Sequence, residues 1–439
     1  MNLLLLCICF TSVLGGSLKL SFEQQSDKLK KRQDGDLGVY IQDRDDYFSV
    51  DLGFGSNNDT VTVLIDTGSA DLWVPASNAV CSSNSDSYPY KGSSSSNASE
   101  PTDLCRANGT FDWQRSTTFH KNSTAFDITY ADSTFAEGFF GMDSVHIGST
   151  IINNAIFGVA NQSDDVGVLG LGLPQLESSY DNYYNSTMYE NFPQKLKSEG
   201  IIDRVLYSIN LGYRYGEILF GAIDHSAHNG DLVTLPIQYS DNGIRDQFIV
   251  ELDSILLTRP DEAPTLVSLN ATVLLDTGSS YSWFPKETLK KLTKLLDGKK
   301  TKHGYFVNTT EAAYAYLQLS FGGTNILAPV AKSFSKYEPD MARLDYGQQG
   351  PYDGTDIVLG KDILRYMYLV YDLESLEISI SKARSSIIYP GMPQGDVEIV
   401  GSDGKFNKSP SWNVDYDSGA SFQSKVPFLL LMIYLMITL

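Results

Sequence analysis

The chain has 439 residues, 42% of them hydrophobic, which is enough apolar material for two domain-sized cores or one large bilobal one and too much for a disordered chain. With 33 basic against 53 acidic residues the formal charge is −20, which argues against nucleic acid as a partner and favours cationic ones. Twenty-six tyrosines and 36 glycines lean toward a turn-rich β protein.

From the N-terminus, residues 1–16 read as a secretory signal, an apolar run from Leu3 to Phe10 followed by Gly15, Gly16 and Ser17. Residues 17–32 read as a short pro-segment ending in Lys30-Lys31-Arg32, with cleavage expected after Arg32. Cys7 and Cys9 fall in the signal, so Cys81 and Cys105 are left to form one disulfide in an oxidising compartment. That bridge would close the polar, Ser-rich insertion 81–105. Nine Asn-X-Ser/Thr sequons, at Asn58, Asn97, Asn108, Asn122, Asn161, Asn185, Asn270, Asn308 and Asn407, suggest a glycosylated surface protein.

From Val39 to about Tyr389, short apolar runs of period two are broken by Gly, Asn, Asp and Ser, as in Tyr47–Leu52 and Glu377–Ile380. That pattern predicts an all-β body. The clearest helical stretch is Glu287–Leu296, with Leu289, Leu292, Leu295 and Leu296 on one face. Two lobes are expected, 33–235 and 236–389, followed by a Ser/Gly/Asn/Pro-rich linker, 390–418. The uncharged run Val426–Leu439 is shorter than the ~20 residues a membrane span requires. Small residues and a polar spacer precede it, so 419–439 reads as a GPI-attachment signal, with Ser418 the candidate residue and Asn413, Asp417 and Gly419 as alternatives.

The decisive feature is an internal repeat. Val61–Pro75 reads VTVLIDTGSADLWVP and Ala271–Pro285 reads ATVLLDTGSSYSWFP, nine matches in fifteen positions at an offset of 210 residues. Each copy is an apolar β run that ends in a glycine turn, which puts Asp66 and Asp276 at the ends of buried strands. A buried lone carboxylate is costly, but two brought together can share one proton, one acting as base on a water and the other as acid toward a carbonyl. One half-site cannot do this.

These strings resemble the pepsin-like aspartic proteases, in particular the fungal cell-surface branch of yapsins and GPI-anchored secreted aspartic proteases. Further matches are Phe126–Tyr130, Val168–Leu171, Ile357–Gly360 and the stretch from Asp362 to Asp372, so the resemblance covers about Val39 to Ser381. It implies a bilobal fold of two related β-barrel lobes with the cleft between them. Thr67 and Thr277 would interlock the turns, Ser69 and Ser279 would orient the carboxylates, and Gly68 and Gly278 would keep the dyad coplanar. Tyr130 would be the flap tyrosine over the substrate, with Trp73 its hydrogen-bond partner. Ala131 departs from the usual flap glycine, which predicts a stiffened flap or an altered meeting of its backbone with substrate.

The resemblance further implies a monomeric endopeptidase that acts on peptides or proteins at acid pH, without cofactor or metal, anchored by a GPI lipid to the cell membrane or wall. Resemblance to the yapsin-like branch also implies a preference for basic residues at the cleavage site, and the acidic composition agrees with it. A non-enzymatic surface glycoprotein and a glycosidase with paired carboxylates are weaker readings, because both Asp-Thr-Gly-Ser turns are intact. His225-Ser226-Ala227-His228 has metal-like spacing but lies in a Gly/Asn/Asp-rich region and is expected to be a surface loop.

Overall fold

The computed structural model describes residues 18–24, 47–82, 104–148, 150–180, 188–212, 215–338, 340–349, 354–384 and 396–411. The expected signal, Arg32, Asn97, Asn185, Ser418 and the C-terminal tail lie outside them. The protein is built almost wholly of strands. Alternation drives this, as in Asp59–Asp66, where Val61, Val63 and Ile65 are fully buried while Thr60, Thr62 and Leu64 are not.

A thirteen-stranded sheet runs from His228–Pro236 at one edge to His120–Thr129 at the other. Its second half curls, and Phe48–Phe54 pairs with both Asp59–Asp66 and Phe135–Ile147 to close the N-terminal lobe. Its first half joins the lobes. There the late strands Met367–Asp372 and Glu377–Ala383 ladder against Leu206–Asn210 and His228–Pro236, so strands from both expected lobes share one sheet. Leu18–Gln24, inside the expected pro-segment, lies in the same sheet between Tyr215–Phe220 and Phe48–Phe54.

The C-terminal lobe holds a seven-stranded sheet centred on Ile249–Thr258 and Thr265–Leu275, with a four-stranded sheet beside it. The expected helix is Lys286–Leu295, which buries Leu289 and Leu292, with Leu296 buried at its C-cap. The lobes share one continuous apolar core that reaches from Phe48 through Tyr207 and Phe248 to Leu359. The fold is bilobal and all-β.

Cys81 and Cys105 form a disulfide, with Cys105 buried against the N-terminal core. The expected linker is not free chain throughout. Within it, residues 396–411 pack back on the body, Val397–Ile399 pairing with Ala222–Asp224 and Val400 fully buried. The composition hid this, because two apolar side chains, Val400 and Phe406, sit among Gly, Ser and Lys.

Candidate active site

Each Asp-Thr-Gly-Ser turn rises from the end of a strand that is buried in its own lobe. In the N-terminal lobe Leu64, Ile65 and Asp66 pair in parallel with Val168, Leu169 and Gly170. In the C-terminal lobe Leu274 and Leu275 pair in parallel with Val358 and Leu359. The two halves of the sequence repeat therefore share the same kind of parallel ladder. The chain then leaves each ladder, and the two turns meet.

They meet through threonine. Thr67 N–H donates to Thr277 Oγ1 and Thr277 N–H donates to Thr67 Oγ1, both at 3.0 Å. Each hydroxyl in turn donates across the interface at 2.9 Å, Thr67 to the Leu275 carbonyl and Thr277 to the Ile65 carbonyl. Four buried hydrogen bonds thus tie strand end to strand end with two-fold symmetry, and neither threonine is solvent-exposed.

The carboxylates are held from their own turns. Gly68 N–H donates to Asp66 Oδ1 at 2.7 Å, and Gly278 N–H to Asp276 Oδ1 at 2.9 Å. Ser69 Oγ donates to Asp66 Oδ2, and Ser279 Oγ to Asp276 Oδ2 at 2.7 Å. The glycines are required by the opposite turn. A Cβ on Gly68 would lie 2.7 Å from Asp276 Oδ1, and one on Gly278 would lie 2.5 Å from Asp66 Oδ1. Any side chain at either position would push the carboxyl groups apart.

Burial, and then the charge of Asp276, hold the Asp66 carboxyl well above the usual carboxylate range, against the hydrogen bonds from Ser69 and Gly68. The pair therefore retains a proton far more readily than an exposed carboxylate would. A site with one neutral carboxyl and one carboxylate facing each other can give and take a proton in the same step.

Over the turns lies the hairpin His120–Thr129 and Phe135–Ile147, whose tip carries Tyr130. Trp73 Nε1–H donates to Tyr130 Oη at 2.8 Å. The Trp73 ring is fully buried with Phe126 and Phe140 beneath the hairpin. The tip turn places its left-handed residue at Ser133, φ 72°, and not at Ala131. Alanine at 131 thus meets no backbone strain. Asp132 Oδ1 fastens the turn by accepting from Thr134 N–H at 2.9 Å and Oγ1–H at 2.7 Å.

A second acidic group lies behind the first, and sequence reasoning did not find it. Asp71 is fully buried; its Oδ1 accepts from Tyr189 Oη–H and its Oδ2 from Ser178 N–H, both at 2.7 Å. Tyr189 N–H donates to Glu177 Oε2 at 2.8 Å, so one tyrosine bridges two acids. Burial first, and Asp71 as well, push the Glu177 carboxyl up to about 8. Burial also raises Asp71. Asp71 follows the Asp66 turn by five residues, which was the available signal, but its partner is 118 residues away. Burial first, and then Asp66, Asp71 and half-buried Asp165, hold the Tyr130 proton firmly, against the bond from Trp73.

Other candidates fall elsewhere. His225 and His228 are buried beside the lobe-joining sheet, not on a surface loop, because residues 396–411 cover them. Among the described residues no three His, Cys, Asp or Glu side chains converge to hold a metal ion. Asn58, Asn122, Asn161, Asn270 and Asn407 are exposed, and Asn308 caps the helix Thr309–Ala313. Asn108 differs: it is half-buried, and its amide nitrogen donates to Tyr47 Oη at 2.8 Å.

Comparison with known proteins accords with this geometry. The profile of the eukaryotic aspartyl protease family matches residues 46–383. The chain is 32% identical to aspartic proteinase yapsin-3 of Saccharomyces cerevisiae, over 93% of this chain and 80% of that protein. It is 31% identical to secreted aspartic protease 10 of Candida albicans, over 84% of this chain and 79% of that one. Its fold superimposes on the crystal structure of an aspartic proteinase from Irpex lacteus with a TM-score of 0.62, at 18% identity, over 84% of this chain and 98% of the other. Twin turns interlocked by threonine, two crossed carboxylates and a hairpin above them belong with that breadth of similarity: the chain is a member of the pepsin-like eukaryotic aspartyl proteases, an aspartic-type endopeptidase.

Proposed function

We propose that Asp66 and Asp276 are the catalytic dyad of a secreted, surface-held endopeptidase working in acid. The observation that carries this is the crossed geometry, in which each carboxylate is oriented by its own Ser and Gly and abuts the opposite glycine. Sharing of one proton is general to aspartic protease dyads. The ionised carboxylate takes a proton from a water whose oxygen attacks the peptide carbonyl, while the neutral carboxyl protonates the carbonyl oxygen. In the second step the tetrahedral carbon expels the amine, which leaves with a proton from the pair. Tyr130, fixed by Trp73, closes the hairpin over the substrate and excludes water.

The dyad needs one proton, and burial holds the upper titration of the pair high. Activity is retained in acid and lost as pH rises and that proton leaves. Cleavage beside basic residues is supported by Asp165 next to the flap tyrosine, by exposed Asp132 at the hairpin tip and by the overall charge of −20. Secretion and a GPI anchor at Ser418 are supported by the apolar ends and the sequons, and the name of the Candida relative describes a secreted enzyme. Release of residues 17–32 by cleavage after Arg32 would require the Leu18–Gln24 ladder to come apart, since that strand is hydrogen-bonded on both sides.

The test is cleavage of protein and basic-peptide substrates across pH by the processed protein and by Asp66→Asn and Asp276→Asn. Loss of acid cleavage in both variants, with melting unchanged, supports the dyad; retained cleavage in either sinks it. Asp165→Asn should lower kcat/KM for lysine or arginine substrates about tenfold relative to apolar ones.

A further inference from the structure

We propose that His225 and His228 form a proton-operated latch that docks the C-terminal segment 396–411 on the body near neutral pH and releases it in acid. The segment is held at several points. Val397–Ile399 pairs with Ala222–Asp224, and His225 N–H donates to the Asp396 carbonyl, Val400 N–H to Gly221, Leu232 N–H to Lys408 and Ser411 N–H to His225. Val400 and Phe406 pack on Leu206, Ile223, Leu232 and Tyr368. The Ser402 carbonyl accepts from Arg204, whose charge is met by buried Asp372. Lys408 Nζ donates to Thr234 Oγ1.

Among these contacts one chain of groups depends on protons. His228 Nδ1 lies 2.8 Å from the Gly230 carbonyl oxygen, so it carries a hydrogen, and in the neutral ring Nε2 must accept. That Nε2 faces His225 Nδ1 at 3.4 Å, which must then donate. His225 Nε2 in turn faces Glu398 Oε2 at 2.7 Å, a carboxylate oxygen that already accepts from Asn407 N–H at 2.9 Å. A neutral His225 would present a lone pair to that oxygen, whereas an imidazolium presents a hydrogen. The bonds are all satisfied when both His225 nitrogens carry a hydrogen and His228 Nε2 carries none. Glu398 sits on the docked segment and both histidines sit on the body, so the proton on His225 is what binds one to the other.

A second proton spoils the arrangement. On His228 Nε2 it would set two N–H groups head to head across 3.4 Å, inside a buried site. Facing His228 are the Tyr368 ring, stacked at 5.3 Å, charged His225, and the carboxylates Asp224 and Asp231. Burial disfavours the charged ring most, and His225 adds to it, while Asp224, Asp231 and the Gly230 bond oppose; the net effect lowers His228 below the usual imidazole range. For a base lowered on docking the sign is fixed. The undocked state binds the extra proton more readily, so His228 weakens docking as pH falls through the window below about 6.5. In the proposed cell-surface setting, release would lengthen the tether by up to 16 residues, about 50 Å of extended chain. That consequence rests on the anchor; the latch does not.

The test is amide hydrogen exchange read by mass spectrometry on the processed protein between about pH 4.5 and 7.5, corrected for intrinsic exchange, over peptides spanning 220–233 and 396–411. Protection of the His225, Leu232 and Val400 amides is expected to fall about tenfold per pH unit through part of the range below 6.5. His228→Gln offers an oxygen to His225 and an N–H to Gly230 but cannot take up the proton, so its protection should stay level through that range. Glu398→Ala, a change on the segment that leaves the body's fold intact, should lose protection at every pH with peptide cleavage unchanged. Level protection in the unaltered protein, an equal fall in His228→Gln, or full protection in Glu398→Ala would each overturn the latch.

Discussion

The two Asp-Thr-Gly-Ser turns share a register, a threonine interlock and a Ser–Gly cradle, yet what stands behind them differs. Behind Asp66 lie a buried tryptophan, a hairpin and a second acid group, Asp71 with Glu177. Behind Asp276 the equivalent tryptophan, Trp283, is 42% exposed and lies over Gly347. The acid there, Asp362, receives the Ser282 and Ser333 hydroxyls, with no second carboxylate in that bond set. Symmetry is kept where both lobes must act on one water and is abandoned one layer back. In the proposed mechanism the N-terminal lobe handles the substrate lid, and the C-terminal lobe supplies a simpler wall.

If the symmetric layer works as a unit, breaking it from either side should cost the same. Asp66→Asn and Asp276→Asn are each expected to lower kcat by roughly 10³–10⁴, and the double variant by little more, because a dyad that shares one proton fails when either half is lost. Steady-state rates at the pH optimum of the unaltered enzyme measure this. A tenfold gap between the two variants would mean that the halves act independently.

The asymmetric layer predicts an asymmetric response to pH. Glu177 is raised from an ordinary 4.5 to about 8 by burial and by Asp71. Below pH 4.5 it is neutral in the folded and unfolded states alike. Between 4.5 and 8 the unfolded chain gives up the proton more easily, so the folded state loses stability as pH rises, by about 5 kcal/mol at most. Glu177→Gln should remove most of that loss, seen as a smaller difference between urea midpoints measured at about pH 4 and pH 7.5. An unchanged difference would place the neutral-pH weakness elsewhere.

Between these extremes stands the threonine interlock. Thr67→Val or Thr277→Val keeps the shape and removes one hydroxyl that donates once and accepts once. Each should destabilise by about 2 kcal/mol, the left-over N–H and carbonyl being buried. Equal losses by thermal unfolding would extend the two-fold symmetry from geometry to energy.

What could be read from the sequence follows the same division. The symmetric layer is written in contiguous strings, so Thr67, Ser69, Thr277 and Ser279 took their places from the family resemblance that those strings carry. The Lys286–Leu295 helix was equally legible, because its apolar spacing is local. The asymmetric layer is assembled from distant pieces. Asp71 meets Tyr189 across 118 residues and His225 meets Glu398 across 173, and no pattern in one segment announces the other. The His225–His228 pair looked like a surface loop because the polar residues around it face a second polar segment, not water.

The smallest expected effect separates the lobes most cleanly, since it uses the same residue type at matched positions of the repeat. Trp73 donates to Tyr130 and packs between Phe126 and Val168, so Trp73→Phe keeps part of the packing and deletes the hydrogen bond that holds the flap tyrosine. A freed Tyr130 must be ordered each time substrate binds, which should lower kcat/KM about tenfold. The Trp283 ring lies against Gly347, where an added Cβ would sit 2.3 Å from it, and Trp283 is 42% exposed. Trp283→Phe should change kcat/KM by no more than about twofold, with at most ~1 kcal/mol of lost packing. If the two substitutions cost the same, then the tryptophan is conserved between the repeats for packing beside the ladder, and the hydrogen bond to Tyr130 does not govern the flap.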